Sequence, residues 1–383
     1  MNTEDIETLQ SLKTPFYYYD TRLLRDTLQR AVEAARQHDF ILHYAIKANA
    51  NPKILDIIQS YGIGADCVSG NEIFQAVKHG FPSQRIVYAG VGKNDDEILL
   101  ALKNNIFCFN CESLPEIEVI NTLAGELGKK ASIALRVNPN VDAHTHHYIT
   151  TGMEENKFGF YLHDLEHAVR ACREMENIQL IGLHFHIGSQ ITDLSVFQKL
   201  CQRVNDIQRH LKDLDITLPH VNFGGGLGIN YDCPTCNPIP DFASYFQIFA
   251  DSFERQPGQQ VHFELGRSLV GQAGSLISRV LYVKEGQHKK FVILDAGMND
   301  LLRPALYQAF HHIDNLTSNG LHEKYDIVGP ICESSDCFGK DRDLPSTKRG
   351  DLIAIRSCGA YGEAMASHYN LRELPGSYFS NPS

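Results

Sequence analysis

Two hydrophobic patterns alternate along the chain between residues 40 and 264. Short runs rich in β-branched and aromatic residues predict strands, whereas the segments between them repeat apolar residues at i, i+3 and i+4 spacing, which predicts helices. The predicted strands are FILHYAIK (40–47), GIGADCV (62–68), RIVYAG (85–90), NIFCFN (105–110), ASIALRV (131–137), QLIGLHFH (179–186), HVNFGG (220–225) and QQVHFE (259–264). The clearest helical patterns are PKILDIIQSY, NEIFQAVKHG, DDEILLALKN, LPEIEVINTLAGEL and LSVFQKLCQRVNDIQRHL. Strands and helices alternating in this number over this length predict an α/β fold, a (β/α)8 barrel of the TIM type.

A doubly wound sheet is the main alternative to the barrel. Its dinucleotide-binding fingerprint would place glycines directly after the first strand. The segment at that place reads KANANPK and has no glycine. The pattern therefore favours the barrel.

The pattern changes near residue 265. SLISRVLYVKEG, KKFVILDAG, KYDIVGPIC and GDLIAIRSCGAYG are strand-like segments separated by turns, with one predicted helix, DLLRPALYQAFHHI (300–313). These segments predict a mostly β second domain, a β-barrel or sandwich, to which the early strand-like segment PFYYYD (15–20) is expected to contribute. The predicted domains are a barrel over residues 22–264 and a β domain over residues 265–383, joined by an N-terminal strand within residues 1–21.

Composition narrows the classes of function. The 383 residues are 43% hydrophobic and 21% charged, a balance typical of a globular protein with a large core. The net charge of −11 argues against a nucleic-acid partner. The apolar runs have the length of strands and are too short to span a bilayer, and the acidic N-terminus MNTEDIETLQ lacks the apolar core of a signal peptide. We therefore expect a cytoplasmic protein without a membrane partner.

The cysteines include two pairs with CxxC spacing, Cys108/Cys111 and Cys233/Cys236. A structural zinc site would require both pairs to meet in space, yet they lie far apart in the chain and Cys108 belongs to an apolar run. Buried reduced thiols are the better interpretation for most of the ten cysteines.

Polar and special residues collect at the ends of the predicted barrel strands, where barrels of this type build their active sites. These residues are Lys47, Asp66, Asn110, Arg136, His186, Gly224 to Gly226, and Glu264. Strand alternation places Lys47 on one face with His43 and Ala45. A lysine desolvated at a barrel mouth has a lowered pKa and can attack a carbonyl carbon. Taken alone, however, Lys47 would be interpreted as a surface lysine.

Three further segments near the strand ends have possible chemical roles. Consecutive glycines in VNFGGGLGINY (221–231) expose backbone N–H groups in a way that suits a phosphate. Glu264 in FELGR can face a pyridine nitrogen and keep it protonated, which makes the ring a strong electron sink. His184 and His186 form an HxH pair that suits either a metal or an imidazole placed over an aromatic cofactor ring. Metal ranks second, because no neighbouring carboxylate completes a ligand set.

The predicted β domain holds a second group of candidates. In PICESSD (330–336), Cys332 lies beside Glu333 and Asp336, so the thiol can transfer a proton and the acids can bind an ammonium group. Tyr361 lies between glycines in GAYG (359–362) and can donate to a phosphate or a substrate.

Arg303 and Tyr307 are spaced i, i+4 on the predicted helix, so their side chains share one face. Together they can bind a carboxylate, with the arginine bidentate.

These motifs jointly resemble a known family. The chain is similar to the pyridoxal-phosphate-dependent decarboxylases of the alanine racemase fold class, and most of all to the diaminopimelate decarboxylases. The matching segments, in order, are HYAIKANANP, GADCVSGNEI, RVNPNVDAHTHHYITTGMEENKFG, GLHFHIGSQ, VNFGGGLGI, ELGRSLV, DAGMNDLLRPALY, VGPICESSDCFGKDRDLP and GAYGEAMASHYN. Because they cover nearly the whole chain, the resemblance is specific.

The resemblance implies a cofactor, pyridoxal 5′-phosphate, and a reaction, the decarboxylation of meso-2,6-diaminopimelate to L-lysine and CO2. Lys47 would carry the cofactor through a Schiff base and Cys332 would donate the proton, so both would be catalytic. The residues implied to bind the cofactor are Lys47, Asp66, His186, Ser189, Gly224, Gly225, Gly226, Glu264, Gly266, Arg267 and Tyr361. Those implied to bind the substrate are Arg267, Arg303, Tyr307, Glu333 and Tyr361. No metal is implied, and the family's homodimers place PICESSD in the partner's site.

One departure from the family pattern is visible, since the family usually has EPGR where this chain has ELGR, with Leu265. Loss of the proline frees the backbone only modestly, and the spacing of Glu264 and Arg267 is kept.

Several alternatives share features of this sequence. A decarboxylase of ornithine, arginine or carboxynorspermidine would have the same fold, but Arg303 and GLHFHIGSQ speak against it. Racemases of this class place an arginine against the ring nitrogen, where Glu264 is expected here. A catalytically inactive homologue would lack Lys47 or Cys332, and both are present. A metal-dependent barrel enzyme that uses the histidines ranks last.

Overall fold

The computed structural model describes residues 3–141 and 157–380, and the chain divides into two compact units. The barrel unit comprises Leu28–Gly228 and Asp241–Gly266. The β-rich unit comprises Met1–Thr27, Ile229–Pro240 and Arg267–Ser383.

The barrel unit contains a closed barrel of eight parallel strands in chain order, which confirms the predicted fold class. Helix α1 (Thr3–Gln10) and strand β1 (Phe16–Tyr19) come first and belong to the β-rich unit. The barrel strands are β2 (Phe40–Ala45), β3 (Gly64–Cys67), β4 (Ile86–Tyr88), β5 (Cys108–Cys111), β6 (Ala131–Arg136), β7 (Ile178–His184), β8 (His220–Asn222) and β9 (Gln260–Leu265). The helices from β1 to β9 are α2 (Thr21–Arg36), α3 (Pro52–Gln59), α4 (Gly70–Lys78), α5 (Asp95–Lys103), α6 (Leu114–Glu126), α7 (Leu165–Glu174), α8 (Ser195–Asp213) and α9 (Phe242–Ser252). Each segment predicted as a barrel strand overlaps one of these strands.

The barrel strands are buried almost throughout, which explains why their sequences are continuous apolar runs. The loops that follow them are fixed by helix caps. Ser69 caps α4 by accepting from the backbone N–H of Glu72, and Asn94 forms a capping box with Glu97 at the start of α5. The caps hold the C-terminal ends of the neighbouring strands in place.

A chain of three histidines lies inside the barrel. Nδ1 of His43 is 3.1 Å from the carbonyl oxygen of Arg85, Nε2 of His43 is 3.0 Å from Nδ1 of His262, and Nε2 of His262 is 3.0 Å from Nδ1 of His220. Because a carbonyl only accepts, Nδ1 of His43 carries the proton, and each following Nδ1 donates to the ring before it. Phe107 stacks on His43 and His262. Burial lowers the pKa of His43 to about 4, so the ring is neutral at neutral pH.

The β-rich unit is built around one sheet. Its strands besides β1 are β10 (Gly274–Glu285), β11 (Lys290–Leu294), β12 (Ile313–Asn315), β13 (His322–Val328), β14 (Cys337–Pro345), β15 (Leu352–Ile355) and β16 (Gly376–Phe379). Two short helices, α10 (Arg267–Val270) and α11 (Arg303–Tyr307), complete it. The main strand order is β12-β15-β10-β11-β13-β14, and β1 pairs with both β10 and β16. Phe16 of β1 lies opposite Ile277 of β10, and both are buried in the apolar core of this unit.

The helix predicted over residues 300–313 is wrong in its extent. Only Arg303–Tyr307 is helical, because Gln308 adopts a left-handed conformation with φ 53° that ends the helix. Beyond it, Nδ1 of His311 donates to the carbonyl of Arg356, and Ile313 starts a strand that pairs with Ile355. Sheet pairing therefore overrides the local helical pattern here.

The two CxxC pairs differ in structure. Cys108 and Cys111 are buried free thiols on β5, whereas Cys233 and Cys236 form a disulfide, which the sequence analysis did not predict. Nε2 of Gln272 donates to the carbonyl of Asn237 at 3.1 Å and lies 3.4–3.5 Å from the carbonyl oxygens of Pro234 and Asn230, in the segment that contains the disulfide. Within the described residues, no cluster of side chains could hold a metal ion, and no helix is both long and apolar enough to cross a bilayer.

Candidate active site

Lys47 lies on a single turn of 3₁₀ helix, Ile46–Ala48, directly after β2. Its side chain is 40% exposed, and Nζ is 3.6 Å from Oδ2 of Asp66, which is buried at the end of β3. Oδ1 of Asp66 is buried and has no hydrogen-bond partner among the described residues. Burial, together with the charge of Glu264, raises the pKa of Asp66, and the charge of Lys47 opposes this only in part. Lys47 is therefore an accessible amine beside a buried acid that lacks a full set of partners.

Glu264 is a buried carboxylate near the end of β9. Its Oε1 accepts from Nδ2 of Asn110 at 3.0 Å and from Nδ2 of Asn222 at 2.7 Å. Its Oε2 is 2.9 Å from Nε2 of His184. Burial raises the pKa of Glu264, but the interactions with His184 and Lys47 outweigh it and hold this pKa well below its usual range. An ionised carboxylate offers about four acceptor positions, so the three donors leave Glu264 room for one more.

The glycine segment after β8 adopts a conformation that excludes side chains. Gly224 has φ +67°, and a Cβ there would lie 2.3 Å from the carbonyl oxygen of Phe185. A Cβ on Gly225 would lie 2.1 Å from the carbonyl oxygen of Glu264, and Gly226 has φ +118°. The backbone N–H of Glu264 donates to the carbonyl of Gly224 at 2.8 Å, so the turn is attached to β9.

Asn222 connects this turn to the buried carboxylate. While its Nδ2 donates to Glu264, its Oδ1 accepts from the backbone N–H of Gly224 at 2.8 Å. A single amide therefore fixes both the carboxylate and the first glycine. Asn222 was not among the predicted site residues, although a polar residue within a buried strand was a usable signal.

The two histidines of the HxH pair have different partners. Strand β7 ends at His184, whose Nε2 contacts Glu264, so the expected strand extending to His186 is too long. Nδ1 of His186 instead lies 3.4 Å from the backbone nitrogen of Gly225. Burial and the charge of Arg136 lower the pKa of His186, which keeps its imidazole neutral. The half-buried Ser189 follows in the same loop.

Gly266 and Leu265 pack against the segment that carries the lysine. A Cβ on Gly266 would lie 3.1 Å from the Cβ atoms of Ala45 and Ala48. Leu265 lies opposite Tyr44 in the pairing of β9 with β2, and its side chain is buried. Glu264 and the 3₁₀ turn are therefore held in register although the family proline is absent.

In the β-rich unit, two buried arginines share one phenol. Nη1 of Arg267 is 2.6 Å and Nη1 of Arg303 is 2.9 Å from the hydroxyl oxygen of Tyr231. Cζ of Arg267 also lies 4.9 Å from the ring centre of Tyr361. Burial lowers the pKa of Arg267, but the neighbouring phenols Tyr231 and Tyr361 reverse the effect and raise it above its ordinary value. Tyr307, at the end of α11, is half-buried.

The segment PICESSD contains an exposed thiol, Cys332. Glu333 beside it accepts hydrogen bonds from the hydroxyls of Ser335 and Tyr369. Asp336 accepts from the backbone N–H groups of Met298 and Ile331, at 2.7 Å and 2.6 Å. Asp336 thus fixes the loop, whereas Cys332 stays accessible.

Comparison with known proteins decides the family. Residues 23–271 match the model of the pyridoxal-binding domain of pyridoxal-dependent decarboxylases. The chain is 58% identical over 377 residues to the diaminopimelate decarboxylase of Bacteroides thetaiotaomicron, covering 98% of both chains. The chain belongs to the diaminopimelate decarboxylase family.

Solved structures of this family share the fold of the chain. The diaminopimelate decarboxylase of Helicobacter pylori, complexed with L-lysine, superposes with a TM-score of 0.93 at 42% identity, over 98% of this chain and 94% of that one. The enzyme of Methanocaldococcus jannaschii, also in complex with L-lysine, gives a TM-score of 0.90 at 39% identity, over 98% of this chain and 89% of that one. The resemblance inferred from the sequence motifs is confirmed.

Proposed function

We propose that this chain decarboxylates meso-2,6-diaminopimelate to L-lysine and CO2 with pyridoxal 5′-phosphate. The observation that carries the proposal is Glu264, an ionised buried carboxylate with one acceptor position left, in the same unit as the amine of Lys47. The L-lysine bound to two solved members of the family supports the choice of substrate. An arginine at the place of Glu264 would favour racemisation instead.

The barrel unit fits the cofactor on three counts. The glycine turn carries no side chains, and the N–H of Gly226 has no acceptor among the described residues, so this N–H can donate to a phosphate. Glu264 can accept one more hydrogen bond, which suits a protonated ring nitrogen. Oδ1 of Asp66 is buried without a partner among the described residues, as expected of a group that serves a bound molecule.

When bound, the cofactor supplies a protonated pyridine ring that accepts the electron pair left on the substrate's Cα as CO2 departs. Lys47 would bind its aldehyde, and His186 would pack on its ring. Glu264 would hold the proton at the ring nitrogen. The groups proposed to contact the phosphate are Ser189, Gly224, Gly225, Gly226, Gly266, Arg267 and Tyr361.

The substrate's far end carries an amino group and a carboxylate. We propose that Arg303 and Tyr307 bind this carboxylate and that Glu333 binds the ammonium group, since paired opposite charges distinguish such an end from a simple diamine. Arg267 and Tyr361 are proposed to contact the substrate as well. Cys332 would then deliver a proton to the substrate's Cα.

The oligomeric state and the cellular location of the protein are proposed from the sequence and its family resemblance. We propose a cytoplasmic homodimer in which Cys332 serves the partner's site, with a cofactor-binding domain over residues 22–264 and a β domain over residues 265–383. Mixing inactive Lys47→Ala and Cys332→Ala variants under exchange conditions should restore activity if sites are shared. Two variants that stay inactive after verified subunit exchange would refute this arrangement.

The central test of the function uses borohydride and a substrate panel. Reduction of the holoenzyme should attach the cofactor mass to the peptide containing Lys47, and Lys47→Ala should lose both the attachment and the activity. Lys78→Ala, a change of another lysine of the barrel unit, serves as the control. Release of L-lysine from meso-diaminopimelate should exceed product formation from ornithine or arginine by orders of magnitude. Equal turnover of ornithine, or attachment to another lysine in the wild type, would contradict the proposal.

A further inference from the structure

Arg303 is a buried cation whose partners among the described residues are all neutral. It is 5% exposed, and its Nη1 donates to the hydroxyl of Tyr231 and to Nε2 of His311, at 2.9 Å and 3.0 Å. None of the carboxylates among the described residues forms an ion pair with it. A buried charge is costly unless an opposite charge accompanies it. The environment of Arg303 therefore favours an anionic ligand.

His311 determines which donors of Arg303 remain. Nδ1 of His311 is 2.8 Å from the carbonyl oxygen of Arg356, so it carries the ring proton and Nε2 is an acceptor. Both hydrogens of Nη1 on Arg303 are then taken, one by His311 and one by Tyr231. Nε and Nη2 of Arg303 have no acceptor among the described residues. These are the atoms of one guanidinium edge that binds a carboxylate in bidentate fashion.

The hydroxyl of Tyr231 has a proton to give. A phenol oxygen has two acceptor positions and one donor hydrogen. Arg267 at 2.6 Å and Arg303 at 2.9 Å occupy both acceptor positions. In the described part of the chain, no group accepts the proton of this hydroxyl. The proton is thus directed away from both arginines and is available to a ligand.

We propose that Tyr231 is a specificity-determining residue that donates its hydroxyl proton to the distal carboxylate of the substrate, beside Arg303. This inference rests on the proposed function and extends it to a residue with no assigned role. The two guanidinium groups that meet at one oxygen repel each other, and a carboxylate relieves that repulsion. The hydroxyl of Tyr231 accepts a hydrogen bond from each arginine and adds a neutral donor to the proposed carboxylate site.

The retained end of the substrate provides a selective probe. Decarboxylation at one Cα of diaminopimelate leaves a primary amine there, whereas the other end keeps its amino and carboxylate groups. L-Lysine therefore carries the distal carboxylate, and cadaverine, the diamine of the same chain length, does not. A donor aimed at this carboxylate affects L-lysine and leaves cadaverine unchanged.

The test compares the wild-type holoenzyme with Tyr231→Phe. The variant removes the hydroxyl but keeps the ring, which lies edge-on to His311 at 5.0 Å between centroids. Tyr325→Phe is the matched control, because Tyr325 is another buried tyrosine of this unit, whose hydroxyl oxygen accepts from the backbone N–H of Thr347. Calorimetry gives the dissociation constants of L-lysine and cadaverine, and steady-state kinetics gives KM and kcat for meso-diaminopimelate.

Tyr231→Phe should raise the dissociation constant of L-lysine and the KM of diaminopimelate by about 10-fold to 100-fold, the loss expected for a hydrogen bond to a charged group. Binding of cadaverine should stay as in the wild type, and kcat should change less than KM. Equal effects in Tyr231→Phe and Tyr325→Phe, or equal weakening of both ligands, would overturn the role of Tyr231. A wild-type enzyme that releases no lysine would refute the proposed function instead, while selective loss of L-lysine binding would still support the assignment of Tyr231.

Discussion

Replacing Asn222 by leucine, its closest apolar match in size and shape, tests whether one amide side chain positions both Glu264 and the glycine turn. The substitution removes the donor to Oε1 of Glu264 at 2.7 Å and the acceptor for the N–H of Gly224 at 2.8 Å. Glu264 keeps Asn110 and His184 as partners. No side chain would then connect the carboxylate to the glycine turn, and only the backbone hydrogen bond from Glu264 to Gly224 would remain.

The magnitude follows from two hydrogen bonds. The N–H of Gly224 is left without a partner, which costs roughly 1–3 kcal/mol, and the lost hydrogen bond to the charged carboxylate of Glu264 costs roughly 1.5–3 kcal/mol, so Asn222→Leu should lower the free energy of unfolding by about 2.5–6 kcal/mol. Asn205 offers a matched control, because it is also 5% exposed and also makes two hydrogen bonds. Its Nδ2 donates to the carbonyl of Ser252 and its Oδ1 accepts from the N–H of Glu254, both at 2.9 Å. Asn205→Leu should therefore destabilise the barrel by a similar amount.

The assay measures stability and cofactor binding separately. Urea unfolding monitors both variants, and dilution of the holoenzyme with absorbance detection gives the dissociation constant of pyridoxal phosphate. Only Asn222→Leu should weaken cofactor binding and lower kcat/KM, by about 10-fold to 100-fold for one lost hydrogen bond to a charged group. If both variants bind the cofactor equally well at equal stability, Asn222 has no role beyond packing and this reasoning fails.

Two further predictions concern the barrel core and the disulfide. Burial lowers the pKa of His43 from 6.5 to about 4, so between these pH values the unfolded chain binds a proton that the folded barrel does not. The stability that His43 contributes should be complete above pH 6.5 and fall by about 3 kcal/mol as the pH drops to 4. His43→Gln should make the pH dependence of thermal unfolding shallower without removing it, because burial also lowers the pKa of His186 and His262. A wild-type curve that is flat between pH 7 and 5 would contradict this prediction. For the cysteines, thiol titration of the denatured protein should give eight groups without reductant and ten with it, because Cys233 and Cys236 are paired; ten in both conditions would show that the disulfide is absent.

Local patterns in the sequence were enough to predict the barrel, the approximate positions of its strands and the candidate residues at the strand ends. These features follow from local properties, since burial of a parallel strand on both faces demands a continuous apolar run, and a turn as crowded as that at Gly224 and Gly225 demands glycine. Lys47, Asp66 and Glu264 could be named because each follows or ends such a run. The family resemblance then supplied roles that no local pattern contains.

Which side chains contact one another could not be predicted from these patterns, because the contacts depend on how the chain folds. Closing the barrel brings Asn110, His184 and Asn222 from three different strands onto Glu264, and spacing along the chain carries no trace of this contact. Likewise, Tyr231 and Arg303 meet although 72 positions separate them. The helix predicted over residues 300–313 ended early for the same reason, because long-range strand pairing outweighs local periodicity. Periodicity shows on which face of its own helix or strand a residue lies. The charge and hydrogen bonding of a site depend instead on neighbours that only the folded chain brings together.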